Sequence, residues 1–425
     1  MSLLFPTHLF RRQPLPPQLK ICLISRRFPI GGRTADQGSL WPIAKGLAKK
    51  GHKVVVLAQD THHRSEDIVR DGVQISYLSD ESEFGFARLA KDRFARLHRD
   101  EPFHIVHAAD SSGYLIGRFK NEFNVSVVFD VAATQMSQLY AIAGMAQETM
   151  GSLLRTSIAI AYKFLRTYYG TDRHLIKTAD GIFVMSPHER IILERYYLYP
   201  DNNIYSVPHG IEIGDLSPKE KSDELKVRLG LPPDAKTIVT ISDMTEVMPL
   251  TNLFEAFEKV AIKRSNARLI VVGNGPRLKE IEFHMLNLAL GSRVIFTGPV
   301  KSSEVPDYIS LADVYVNISS RTTGFEPSIL EAMAQKKVVI GSEVSPLSSL
   351  VEDGVDGFLV RPADVKALSH LLIDIFSENV PVLEIGDRAR RRVVDLFDFE
   401  KLVAETLDAY FKVLGRTKRY KNSKH

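Results

Sequence analysis

Short runs of Val, Ile and Leu recur along the chain, and between them the apolar positions fall at helical spacing. In the first half the runs are KICLIS at 20–25, KVVVLAQ at 53–59, HIVHA at 104–108, SVVFDVA at 126–132 and GIFVMS at 181–186. They read as strands that are apolar on both faces, the pattern of a parallel sheet covered by helices on each side. Turn formers then cluster in LYPDNN at 198–203. The pattern restarts with NIYSV, TIVTIS at 237–242, RLIVVG at 268–273, RVIFTG at 293–298, DVYVNIS at 313–319 and KVVIGS at 337–342. The predicted fold class is α/β, with two doubly wound, Rossmann-like domains over 20–197 and 198–385. Residues 1–19 read as a Pro-punctuated extension, 386–415 as helices crossing back toward the first domain, and 416–425 as a solvated basic tail.

A length of 425 residues agrees with two domains of ordinary size, and 44% hydrophobic with 25% charged residues is the balance of a globular protein. The single cysteine, Cys22, excludes an intramolecular disulfide and lies in an apolar strand, where a buried thiol is expected. No apolar run reaches the roughly 20 residues that span a bilayer, and the charges near the start follow the apolar residues, opposite to a secretory signal. A cytoplasmic protein is expected. A net charge of +4 gives no reason to expect a nucleic-acid partner. The 13 histidines show no metal-ligand spacing, so no metal is expected, and with neither a Walker lysine loop nor a complete dinucleotide fingerprint no other cofactor is expected.

Open α/β sheets bind ligands at the carboxyl ends of their strands, and two facing sheets make a cleft. The loop PIGGRTADQG, with Gly31 and Gly32, follows the first strand and permits close approach of a ligand to backbone. GNGPRL at 273–278, with Gly273 and Gly275, lacks the third glycine of a dinucleotide fingerprint. It reads either as a tight strand-to-helix turn or as a phosphate contact. In GFEPSILEAMA, Pro327 opens a helix whose free amides around Ser328 and Ile329 suit an anion. Glu331 follows one turn later, facing the cleft if the side bearing Leu330 and Met333 packs inward.

The segment 313–364, DVYVNISSRTTGFEPSILEAMAQKKVVIGSEVSPLSSLVEDGVDGFLVRPAD, resembles the donor-binding core of family 4 retaining glycosyltransferases of the GT-B fold. GHKVVVLAQ, HIVHA, SPHERIIL, YSVPHGIE, LIVVGNGPRLKEIE and RVIFTGPV are similar to the family as well, so the resemblance spans nearly everything from 20 to 415. It implies transfer of a hexose from a nucleotide-sugar to a glycan or lipid-linked acceptor. It also implies a donor site built from Gly31, Gly32, Asp243, Met248, Gly273, Gly275, Arg321, Gly324, Phe325, Glu326, Ser328, Ile329 and Glu331.

Several of those positions depart from the family. Asp243 and Met248 stand where an Arg and a Lys are expected to grip the diphosphate, Ala132 where a His faces the sugar, and Thr323 where a first Glu is expected. Glu326 replaces a small residue, and Glu331 alone keeps its expected identity. No Arg or Lys occurs in SDMTEVMPLTN in any register. Substitute cations are Arg321, Arg26, Arg27 and Arg33. Two readings stand open: an active glycosyltransferase with a divergent site, or an inactive pseudo-glycosyltransferase that supports an active partner. The stretch FGFARLAKDRFARLHR at 84–99 is basic and amphipathic, which fits either peripheral contact with the anionic inner face of a membrane or a solvated domain surface.

Overall fold

A computed structural model describes residues 16–26, 28, 40–59, 66–80, 82–131, 134, 171–207, 210–318, 327–344 and 347–421. The first sheet contains β1 (Lys20–Ser25), β2 (Lys53–Gln59), β3 (Asp67–Arg70), β4 (Val73–Leu78), β5 (Ile105–Ala108), β6 (Ser126–Val131), β7 (Gly181–Val184) and β8 (Ile204–Ser206). Their spatial order is β3-β4-β2-β1-β5-β6-β7-β8, parallel throughout except for the β3–β4 hairpin. The second sheet contains β9 (Lys236–Ile241), β10 (Ala267–Val272), β11 (Val294–Phe296), β12 (Val314–Asn317), β13 (Val338–Ser342) and β14 (Phe358–Val360). It runs β11-β10-β9-β12-β13-β14, all parallel. The helices used below are α1 (Leu40–Lys49), α2 (Glu83–Asp100), α3 (Pro187–Arg195), α4 (Met248–Lys263), α5 (Leu278–Asn287), α6 (Pro327–Ala334), α7 (Val382–Leu396) and α8 (Phe399–Lys421).

Each sheet is buried on both faces, as continuous apolar strands require. Along β6, Val127, Phe129 and Val131 join one cluster and Val128 the other, the period-2 alternation of a strand. Cys22 lies in the first of these clusters, and burial pushes its thiol far above the usual range, which makes it a packing residue.

Two local features differ from the sequence reading. Asp71 and Gly72 both have positive φ, 49° and 78°, and close the β3–β4 hairpin through the Asp-Gly pair that two-residue turns favour. NIYSV closes the first sheet instead of opening the second, because β8 pairs parallel with β7. The first sheet therefore extends to Ser206, past the expected boundary at 197.

The chain crosses between the sheets twice, and the crossings lie side by side. Ile211 N donates to Phe397 O at 2.9 Å and Phe399 N to Ile211 O at 3.2 Å. A Cβ on Gly210 would meet Phe397 O and Phe399 Cα at 3.2 Å, so this crossing favours glycine. Of the final helices, α7 stays on the second sheet, where Ala389 and Val393 join its core and Arg390 donates to the carbonyls of Leu216 and Ala334. Only α8 returns to the first, burying Leu402, Val403, Ala409, Tyr410, Val413 and Leu414 against it.

Helix α2 spends its apolar face on the protein. Phe86, Ala87, Ala90 and Phe94 are buried, Arg93 pairs with Asp67, and Lys91 lies 4.6 Å from the centre of the Phe119 ring. Phe84 alone of its large apolar residues is exposed, at 71%. This is the solvated-surface arrangement, and it leaves no apolar face for insertion into a bilayer. Among the described residues no helix is long and apolar enough to cross a membrane.

Candidate donor site

Strands β9 and β12 are neighbours, with Val314 opposite Ile238 and Tyr315 opposite Val239. Their parallel pairing brings the loop 242–247, which leads into α4, and the end of β12 to the same carboxyl edge. Asp243 is exposed there. Its Oδ1 accepts from Thr245 N at 3.1 Å and from Thr245 Oγ1 at 2.9 Å, an Asx turn that shapes the loop. Met248 opens α4 and is 62% exposed, while Met244, at φ 48°, is buried in the core. The loop and the start of α4 thus present a carboxylate and a thioether at this edge.

The glycines of GNGPRL answer to this loop. Gly273 has φ 124°, and a Cβ there would lie 2.1 Å from Ser242 O; a Cβ on Gly275 would lie 1.8 Å from Asp243 O. Arg277 N donates to Met244 O at 3.1 Å, so the turn into α5 is stitched to the loop after β9. Close loop packing accounts for both glycines. The Arg277 guanidinium pairs with Glu280 at 2.7 Å.

In α6, Ile329, Leu330 and Met333 lie in the second sheet's core, and Ser328 and Glu331 are buried at 5% and 2% exposure. The Ser328 hydroxyl has no hydrogen-bond partner among the described residues, unusual for a buried polar atom at a helix start. Ala132, Thr323, Gly31, Gly32, Arg27, Arg33, Arg321, Gly324, Phe325 and Glu326 lie outside the described residues. Arg26 is described, at the carboxyl edge of the first sheet. Its backbone N donates to Asp110 Oδ2 at 2.8 Å, Nε donates to Gln59 Oε1 at 3.1 Å, and a guanidinium nitrogen lies 3.9 Å from Glu83. These partners engage it within the first domain.

Sequence reasoning did not single out three groups near the same edge. Asp110 receives Arg26 N and also accepts from Ser112 N at 2.9 Å, a cap signalled by the Asp-Ser-Ser-Gly run. Glu189 in α3 is buried and accepts from Thr134 N at 3.3 Å. His107, the polar residue inside the apolar run HIVHA, bridges Asp130 and Tyr410.

Two family descriptions match the chain, Glycosyltransferase Family 4 over residues 39–214 and Glycosyl transferases group 1 over 221–392. The chain belongs to the family 4 glycosyltransferases. The N-acetyl-alpha-D-glucosaminyl L-malate synthase of Bacillus anthracis is 26% identical to this glycosyltransferase over 283 residues, 63% of this chain and 73% of that one. The UDP-Gal:alpha-D-GlcNAc-diphosphoundecaprenol alpha-1,3-galactosyltransferase of Escherichia coli is 22% identical over 325 residues, 75% and 78% of the two chains. The solved sucrose-phosphate synthase of Thermosynechococcus elongatus superposes with a TM-score of 0.73 at 20% identity, covering 94% of this chain and 100% of that one. That likeness shows the GT-B fold: two facing α/β domains with mostly parallel sheets.

Proposed function

We infer that this glycosyltransferase moves a hexose from a nucleotide-sugar to a glycan or lipid-linked acceptor, with a donor site that grips the diphosphate weakly. The family and the paired domains support the reaction class, and the E. coli relative, whose name specifies UDP-Gal and a diphosphoundecaprenol acceptor, supports the substrate classes. The observation that carries the weak grip is the exposed pair Asp243 and Met248 on a loop with no Arg or Lys. Cations stabilise a leaving diphosphate through charge-assisted hydrogen bonds, and an anion opposes them. The same observation favours a second reading, a non-catalytic subunit that keeps the cleft and supports an active glycosyltransferase. Transfer of labelled sugar from a UDP- or GDP-sugar to a glycan or lipid-linked acceptor supports the first reading, and its absence the second.

A lipid-linked acceptor would bring the protein to a membrane surface. The exposed arginines of α2, Arg88, Arg96 and Arg99, are the groups available for that contact, since Arg93 is engaged with Asp67. Each basic side chain near an anionic surface contributes about 1 kcal/mol, screened over about 8 Å at physiological salt. Sedimentation with anionic vesicles should therefore fall with added salt and vanish when all three are changed to Glu. Equal sedimentation with neutral vesicles would remove the membrane from the account.

A further inference from the structure

Strands β5 and β6 each place a polar residue on the face that α8 covers. Val106, Ala108, Val127, Phe129 and Val131 join one cluster, while Ile105 and Val128 join the other. Alternation puts His107 and Asp130 on the side of Ile105 and Val128. His107 is fully buried, its ring edge-on to Phe183 at 5.0 Å and to Tyr410 at 5.7 Å. Its Nδ1 lies 2.6 Å from the Tyr410 hydroxyl and its Nε2 2.7 Å from Asp130 Oδ1.

The proton positions follow from burial. Tyr410 is fully buried, and burial, with the Asp130 charge, raises its phenol well above the usual range, so it is a neutral O–H. Among the described residues that proton has one acceptor, His107 Nδ1. Tyr410 therefore donates to Nδ1, and the imidazole proton sits on Nε2 and is donated to Asp130. The network ends at Asp130, whose Oδ1 is taken by His107 and whose Oδ2 has no partner among the described residues. Asp130 is the partly exposed residue of β6, one position before its carboxyl end, with a side chain 25% accessible. Sheet order reverses between β1 and β5, and β6 is the next strand beyond β5, so its carboxyl end lies one strand from the crevice where open α/β sheets take ligands.

We propose that Asp130 contacts ligand, its Oδ2 accepting a hydrogen bond from a sugar hydroxyl, and that His107 and Tyr410 are positioning residues that hold the carboxylate in place. An ionised carboxylate only accepts hydrogen bonds and repels phosphate, so the contact selects the uncharged, hydroxyl-bearing part of a ligand. The hydroxyl belongs either to the sugar of the donor or to that of the acceptor. The ligand class rests on the glycosyltransferase reading above.

Asp130→Asn keeps an oxygen for His107 and places an NH2 where Oδ2 was, so the docking of α8 survives. The test is saturation-transfer NMR at millimolar concentrations of UDP, of UDP-glucose and, separately, of methyl α-glucoside. UDP binding should be unchanged. Affinity for UDP-glucose, or for the glucoside if the contact is on the acceptor side, should fall at least about tenfold, the size expected for a hydrogen bond to a charged group. The apparent Tm should stay the same. Tyr410→Phe removes the donor to Nδ1 and should lower both the Tm and the affinity for sugar relative to UDP, a ratio that a purely structural contact would leave constant. Sugar binding unchanged by Asp130→Asn in both arms overturns the proposal, as does sugar binding absent from the wild-type protein. Wild-type protein that binds the glucoside but neither UDP nor UDP-glucose overturns the donor reading alone, and the glucoside arm then decides the role of Asp130.

Discussion

Changing Asp243→Arg together with Met248→Lys should raise affinity for UDP and GDP tenfold or more. Both side chains are exposed, Asp243 on the loop that β9 delivers to the carboxyl edge of the second sheet and Met248 at the start of α4. The exchange replaces one anion with two cations, and each charge-assisted hydrogen bond to phosphate contributes about 1.5–3 kcal/mol before solvent screening. Two local costs reduce the gain. The Arg cannot make the Asx turn to Thr245, and a Lys at the start of α4 opposes the helix dipole by about 0.3–1 kcal/mol. The net effect stays favourable because the loop is otherwise pinned, through Arg277 N to Met244 O and through Ser242 Oγ accepting from Met244 N at 3.0 Å. Turnover should not rise with binding, since uniform binding leaves the chemical barrier unchanged. Titration of the double variant beside wild type checks this, and equal affinities would place the diphosphate away from this loop.

Gly273→Ala should be among the most damaging single-methyl changes in the second domain. At φ 124° an L-residue is strained, and the new Cβ would lie 2.1 Å from the Ser242 carbonyl, a backbone atom that no rotamer change can move. Strain and overpacking together are expected to cost about 3 kcal/mol or more, lowering the apparent Tm by about 6 °C or more at 2–4 °C per kcal/mol. Gly214→Ala, where a Cβ meets nothing within 4 Å, is the matched control and should change little. A Gly273→Ala protein as stable as the control would show that the loops after β9 and β10 move apart freely.

The strands of both sheets could be read from the sequence because parallel strands buried on both faces are continuous apolar runs, which no polar alternation obscures. The edges were harder. NIYSV has the same composition as a central strand, and only its pairing with β7 assigns it to the first sheet. The β3–β4 hairpin was signalled by Asp71-Gly72, but its strand DIVR is too short and too polar to stand out. The exposed Asp243 and Met248 could be singled out because they lie within one short stretch of sequence. For the glycines of GNGPRL the sequence offered the tight turn as one of two readings, but the contact that demands them comes from the loop after β9, at Ser242 and Asp243. His107, Asp130 and Tyr410 were illegible for the same reason on a larger scale, the His107 and Tyr410 positions being 303 residues apart. Long-range polar networks leave no periodic trace.

Isothermal titration of the unmodified protein with UDP, GDP and their sugars tests the central claim most directly. A loop that offers a carboxylate and a thioether to the diphosphate should leave nucleotide affinity weak, with Kd near 1 mM, about 4 kcal/mol of binding free energy. A micromolar Kd for any of these ligands, lost when Asp243 and Met248 are replaced by Arg and Lys, would contradict the account and show a donor geometry in which the loop after β9 is not the phosphate grip.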